Sequence, residues 1–317
     1  MEEFQAELQG QNTPRSFVSD QSAPPHQSVV DMAREIVTPQ TCPACGTAKS
    51  AGAAAPSLSP LSPSWIYAIG RIEARFPSIS VEKEFAQATA RDKTAGLTGR
   101  QALHSVLSKP ENRYLVRQFC FVMTIEGLET YILMPRDPVD FSLLVEALRA
   151  HPSPMDLDVV IGTKGPIAPP QMCNGLMIPI VSFDQVYSFD RDSLIKAIPR
   201  PEKVSAKDFG PAAEELFDRV MQTTDNAGAT DEHRALNYLA VRYHQIYFRT
   251  AEYFAQNFSL TCVDVQTSPL SGVRKVVDVI FSYTNRQTDV VDKLFVRVDV
   301  TDEFPFLVTK LSPYFDR

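Results

Sequence analysis

Two hydrophobic rhythms share this chain and change places at recognisable points. Alternating or crowded β-branched and aromatic residues predict strands, whereas apolar residues at three- and four-residue steps predict helices. The run SWIYAIGRIE at 64–73 opens the series as a strand. Ser80 is placed to cap a helix over 81–90, and Thr98 with Gln101 has capping-box spacing for a helix to about Leu107. Strands are predicted over 114–124 and 129–134, joined by a tight turn at Glu126, Gly127 and Leu128. Asp137 and Pro138 start a helix to Arg149, with proline in its first turn. Strands at 157–162 and 176–183 flank the Pro-rich loop GPIAPPQMCNG, and Asp190 or Asp192 caps a short helix to Ile198.

The Pro-rich stretch 198–202 reads as a boundary. Beyond it, 206–223 is helical, and a longer helix is predicted over 230–257. Leu236, Leu239, Tyr243 and Tyr247 form its buried stripe, packed on the sheet that follows. That sheet is a meander of strands at 260–266, 273–283, 293–301 and 306–311, with turns at Ser271-Gly272 and Asn285-Arg286. The fold class is therefore α+β, helices packed on antiparallel sheets. Residues 1–64 differ: rich in Pro, Ser, Ala and Gln, they read as a flexible segment interrupted by a short helix at about 28–37. The expected organisation is a flexible 1–64, an α+β subdomain at 65–200, and long helices plus a C-terminal antiparallel sheet at 201–317.

Charge narrows the function. The 317 residues carry 31 Lys+Arg and 38 Asp+Glu, a net charge of −7. That acidity argues against nucleic acid as a partner, because such binding needs a basic surface to replace phosphate counterions. No apolar run approaches the ~20 residues that cross a bilayer, so no membrane partner is expected, and the acidic start lacks the signal-peptide pattern. Five cysteines fit a reducing cytoplasm better than a disulfide framework, so the expected location is cytoplasmic.

The sharpest local motif is Cys42-Pro-Ala-Cys45, a pair of thiols spaced to share one tetrahedral Zn²⁺. No second pair completes a four-ligand site within the chain, and His26 and Cys173 are not selected by spacing. Two chains could each give one pair to a structural zinc, or the pair stays metal-free and reduced; no other cofactor is expected. The flanks of Cys120 and Cys262 mark both as core, and Cys173 reads as loop packing rather than a nucleophile, since no histidine is placed beside it. Asp156/Asp158, Asp190/Asp192 and Asp302/Glu303 are acidic pairs open to acid–base or metal work, but also to capping and turns. Arg113, Arg117, Arg136, Arg191 and Arg200 stand near strands and acidic loops, either as solvated ion pairs or as a grip on a peptide carboxylate. Phosphate-loop, dinucleotide and nucleophile-elbow glycine motifs are absent.

Several long strings carry a family resemblance. They are AIGRIEARFP at 68–77, TIEGLETYI at 124–132, GPIAPP at 165–170, MCNGLM at 172–177, SFDRDSLI at 188–195, DNAGATDEHRALNYL at 225–239 and DVTDEFPFLVTKLSP at 299–313. The chain resembles the domain of unknown function that ends the PatA and PatG proteins of cyanobactin biosynthesis. In that family the chemistry sits in a subtilisin-like domain, and neither a His-Gly-Thr string nor a Gly-Thr-Ser-Met turn occurs here. The resemblance thus implies a non-catalytic accessory role in maturing ribosomally made cyclic peptides, with the precursor peptide or the maturation protease as partner. A dimerising structural element, giving a homodimer, and an enzyme with an unrecognised site around Cys173 or the 165–175 loop are the alternatives.

Overall fold

The computed structural model describes residues 64–91, 96–202, 204–222 and 225–315. Its first half is organised by β1 (Trp65–Arg75), β2 (Cys120–Ile125), β3 (Leu128–Pro135), β4 (Asp156–Ile167) and β5 (Pro179–Asp190). They close into a barrel in the order β1-β2-β3-β5-β4, with β4 returning to β1. Every pairing is antiparallel except β3 with β5. Helices on largely antiparallel sheets were expected and are present; the closure of one sheet into a barrel was not part of that expectation.

Strand β1 shows why it reads as one apolar run. Ile66, Ala68 and Ile72 join one core with Phe121, Leu133 and Phe183, while Tyr67 and Ile69 join another with Val159 and Ile161. Both faces are covered, so alternation is lost. Four helices serve the first core: α1 (Ile79–Arg91), α2 (Gly99–Leu107), α3 (Arg113–Val116) and α4 (Phe141–Ala147). The capping box of α2 forms as predicted, Gln101 N–H donating to Thr98 Oγ1 and Thr98 N–H to Gln101 Oε1. The turn between β2 and β3 uses Glu126 at φ 50° and Gly127 at φ 83°, the left-handed pair that a two-residue hairpin requires.

The predicted strand over 114–124 is only half right. Pro110–Asn112 makes a 3-10 turn and Arg113–Val116 is helical, so β2 begins at Cys120. Buried Asn112 donates from Nδ2 to Val106 O at 2.8 Å, closing the end of α2 and turning the chain into α3. That local bond outweighs the β preference of Tyr114 and Val116.

After α5 (Arg191–Ala197), the second half sets α6 (Ala206–Met221), α7 (Asp231–Arg242) and α8 (Gln245–Ala255) on one sheet. That sheet comprises β6 (Phe258–Thr267), β7 (Val276–Asn285), β8 (Val291–Asp299), β9 (Phe306–Leu307) and β10 (Ser312–Pro313). Its order is β10-β8-β7-β6, with β9 also on β8. The single helix predicted over 230–257 is two helices, broken at Tyr243, whose φ −116° and ψ 81° leave the helical region. Tyr247 hydroxyl donates to Ala240 O at 2.6 Å, satisfying the carbonyl that an unbroken helix would pair with residue 244. Tyr243 hydroxyl accepts from Leu311 N–H. The predicted stripe survives the break: Leu236, Leu239 and Tyr247 are buried, and Tyr243 is half-buried.

Residues 226–237 lace the barrel to this helical layer, and both belong to one compact unit. Tyr67 N–H donates to Gly228 O at 2.9 Å, Asn237 Nδ2 to Tyr67 O at 2.8 Å, and Tyr131 hydroxyl to Ala227 O at 2.9 Å. Gly228 sits at φ 70° with Tyr67 backbone where a Cβ would be, so no other residue fits there.

Candidate functional site

Sheet edges expose unpaired backbone groups, and this fold hides most of them. The barrel has none. The outer edge of β8 is covered by the C-terminal segment: β9 and β10 pair with it, and Val308 and Tyr314 N–H donate to Arg297 O and Lys293 O. Strand β6 differs, since among the described residues it pairs only with β7.

The register fixes which β6 groups point outward. Ser268 N–H donates to Val276 O at 2.8 Å, so that pair is hydrogen-bonded. Antiparallel ladders alternate bonded and non-bonded pairs. Cys262, Asp264 and Gln266, opposite Ser282, Ile280 and Asp278, therefore direct their N–H and C=O groups at β7. Val263, Val265 and Thr267 direct theirs away from the sheet. Val300 N–H donating to Lys275 O places the β7–β8 bonds on the complementary residues of β7, as the ladder demands.

A bulge between Leu260 and Cys262 reverses this parity and leaves the Leu260 and Thr261 carbonyls facing out. Arg219 on α6 takes both, at 3.2 and 3.4 Å. The edge is thus closed upstream by one guanidinium and open over 262–267. Along that stretch Val263 and Val265 are half-buried against the helical core, while Cys262, Asp264 and Gln266 are exposed. Nothing in the sequence singles out Arg219, because its contact lies 41 residues away in the chain and leaves no local signal.

The remaining candidate residues scatter. Cys42, Cys45, His26 and the predicted 28–37 helix lie outside the described residues, as does the expected flexible segment up to residue 63. Cys120 and Cys173 form a disulfide, Cα atoms 5.6 Å apart, tying the start of β2 to the Pro-rich loop. This corrects the expectation of no disulfide. Cys173 is buried with Ile132 and Ala168, and has no free thiol to act as a nucleophile. Cys262 is free and exposed, not core, because its side chain lies on the uncovered face of an edge strand. Among the described residues no three His, Cys, Asp or Glu side chains gather as a metal site. No described helix is long and apolar enough to cross a membrane.

The acidic pairs separate into distinct roles. Asp190 caps α5, accepting from Ser193 N–H at 2.9 Å, and this bond first of all holds its carboxyl below the usual range. Asp158 is buried, which raises its pKa despite hydrogen bonds from Ile72 N–H and Ser188 hydroxyl. Asp302 and Glu303 are not merely a turn. Glu303 meets Asp184 of β5, and its carboxyl is pushed up to about 7, first by burial and then by that carboxylate. Glu303 Oε1 is buried with no hydrogen-bond partner among the described residues. Arg136 pairs with Asp184 at 2.7 Å, and buried Arg234 donates to Val300 O, Asp302 O and Glu303 O. This cluster joins barrel to sheet. Arg191 pairs with Asp218 and Asp192, Arg200 is exposed, and Arg113 and Arg117 have no anionic partner among the described residues.

The comparisons with known proteins agree with this architecture. The family described as PatG C-terminal matches residues 203–314, which run from the start of α6 through the covered and open edges of the sheet. A solved structure titled "PatG Domain of Unknown Function" is similar with a TM-score of 0.66 at 18% identity, over 79% of this chain and 98% of that one. At that identity the likeness is one of fold, and it extends to the barrel that the family match leaves out. No curated protein matches. On these matches, residues 203–314 are similar to the PatG C-terminal family, and the fold resembles that of the solved PatG domain.

Proposed function

We propose that the chain is a non-catalytic accessory domain of cyanobactin-type peptide maturation, and that it binds precursor peptide as an added strand along β6. The observation that carries this reading is the outward backbone of Val263, Val265 and Thr267 on the uncovered outer edge of β6. Strand addition suits a domain that must hold a peptide without cutting it. The main chain supplies the grip, and alternate side chains supply selectivity. An added strand would place every second side chain beside half-buried Val263 and Val265, near α6 and α8, and the others beside Asp264 and Gln266. The family name supports the pathway, and among the described residues no three His, Cys, Asp or Glu side chains gather as a metal site.

Amide hydrogen exchange with and without synthetic precursor peptide tests this. In the free protein the Val263, Val265 and Thr267 amides should exchange fast and those of Cys262, Asp264 and Gln266 slowly. Peptide should protect the first set alone. Protection of that set rising with protein concentration, with no peptide present, would instead place a second copy on the edge.

A further inference from the structure

A cleft lies on the other half of the molecule, between the α2–α3 turn and α4. Its walls are apolar: Leu107, Val116, Pro138, Val139, Phe141 and Val145 line it. Val139 is 74% exposed, a large apolar side chain left in water at the mouth. Arg113 opens α3 and Arg117 follows its last residue, so the two stand one turn apart on one helix face and both line the cleft. Both are exposed, and neither has an anionic partner among the described residues. A single anion, Glu146, lines the same cleft. In a chain of net charge −7 this local excess of cations runs against the whole, and it complements an anion seated beside apolar groups.

The cleft offers about 310 Å³, room for one leucine residue together with its terminal carboxylate, on the order of ten heavy atoms at ~30 Å³ each. A chain end brings its own negative charge to the cations at the mouth.

We propose that this cleft binds the C-terminal residue of an apolar peptide, its side chain among Leu107, Val116, Phe141 and Val145 and its α-carboxylate between Arg113 and Arg117. Guanidinium groups present paired N–H donors that match a carboxylate's two oxygens, so two of them at one mouth fix the carboxylate's position as well as its charge. The site is independent of β6, and its occupant needs no strand addition.

The test uses the full chain and fluorescently labelled hexapeptides ending in leucine: the free acid, the C-terminal amide, and an amidated peptide with glutamate before the leucine. Anisotropy should show the free acid binding at least about tenfold more tightly than the amide, the size of a lost charge-assisted pair of bonds. The glutamate peptide should bind as weakly as the amide, and added salt should weaken the free acid selectively. The double variant R113Q/R117Q should lose the acid–amide difference. S142F, which fills the mouth from exposed Ser142 without altering charge, should weaken every peptide. V265P, which acts only on β6, should change none of this. Equal binding of acid and amide, equal binding of the glutamate peptide, or no binding of the acid to a chain with a native circular dichroism spectrum would each overturn the proposal.

Discussion

Proline placed at neighbouring positions of β6 separates the two faces of its backbone. Asp264→Pro removes an N–H that faces Ile280, whose residue is only 5% exposed. The carbonyl of Ile280 is then left without its partner, which costs about 1–3 kcal/mol before any misfit of the ring is added. Val265→Pro removes an N–H that faces away from the sheet, so no ladder bond is lost, and proline is tolerated where an edge N–H points outward. Its main loss is the packing of a half-buried valine. That is roughly 1 kcal/mol, half of the ~1.5–3 kcal/mol for a fully buried one, and Val265→Ala measures it alone. Urea denaturation should therefore rank Asp264→Pro as the most destabilised, with Val265→Pro within about 1 kcal/mol of Val265→Ala. Titration with precursor peptide should rank them differently: Val265→Ala retains binding, and Val265→Pro loses it. If both prolines destabilise equally, or Val265→Pro does so more, the deduced bond parity is wrong. If Val265→Pro is stable and still binds peptide as the parent does, the parity stands but β6 is not the binding edge.

Three further outcomes are expected. Glu303 has a folded pKa near 7, raised from 4.5, so protons bind the folded chain more tightly; its contribution to stability is complete below about pH 4.5 and is lost as pH rises toward 7. Asp184, Arg136 and Arg234 face that carboxyl, and Glu303→Gln, which donates to Asp184 without titrating, should flatten the melting temperature across this window; an unchanged slope would remove Glu303 as its source. Replacing Cys120 and Cys173 together by serine opens a link across 53 residues, which chain entropy values at roughly 4 kcal/mol; urea midpoints unchanged by reductant in the parent chain would show that the bond is not formed in solution. Leu239→Ala, at a site 1% exposed among α6, α7 and the sheet, should cost about 2–5 kcal/mol by denaturant unfolding; a loss below about 0.5 kcal/mol would show that the stripe does not pack as described.

Local signals in the sequence led to local structure. Thr98 with Gln101, Asp190 before a short helix, and the left-handed Glu126-Gly127 turn are each decided within a few residues, and each formed. Periodicity found the buried stripe at Leu236 and Leu239, but it is blind to the break at Tyr243. No Gly or Pro marks that break, and the bonds stabilising it come from Tyr247 and from Leu311. The same blindness hid the barrel: β3 meets β5 in parallel across the α4 excursion, a contact that no spacing in the chain encodes. The disulfide was hidden for a related reason. A count of five cysteines says nothing of which two are brought to 5.6 Å, and the Pro-rich loop carrying Cys173 gives no periodic pattern to place it. Of the candidate site, the strand was legible but its free face was not, because that face depends on one bond, Ser268 to Val276, and on Arg219 reaching over from α6.

The way the edges are managed bears on why that stretch is open. Uncovered strand edges invite unwanted pairing, and proteins blunt them with charge, proline, bulges or covering segments. This fold uses three of these devices within one sheet. The C-terminal segment lies along β8, a bulge bends β6 at Leu260, and Arg219 fills the carbonyls that the bulge turns outward. Protection stops there. From Cys262 to Thr267 the side chains include one charge, Asp264, and no proline. A chain that covers one edge along its length and half of another leaves the rest exposed to association. Retaining that hazard is consistent with a stretch that pairs in use, and Arg219 then sets where pairing starts. An incoming strand meets a guanidinium at Thr261 and free N–H and C=O groups only beyond it, so the register of the bound peptide is fixed from that end. Arg219→Ala would uncover two further carbonyls without touching the β6–β7 ladder. Exchange protection by precursor peptide should then extend toward Leu260. Protection confined to the original three amides in that variant would show that Arg219 does not set the limit.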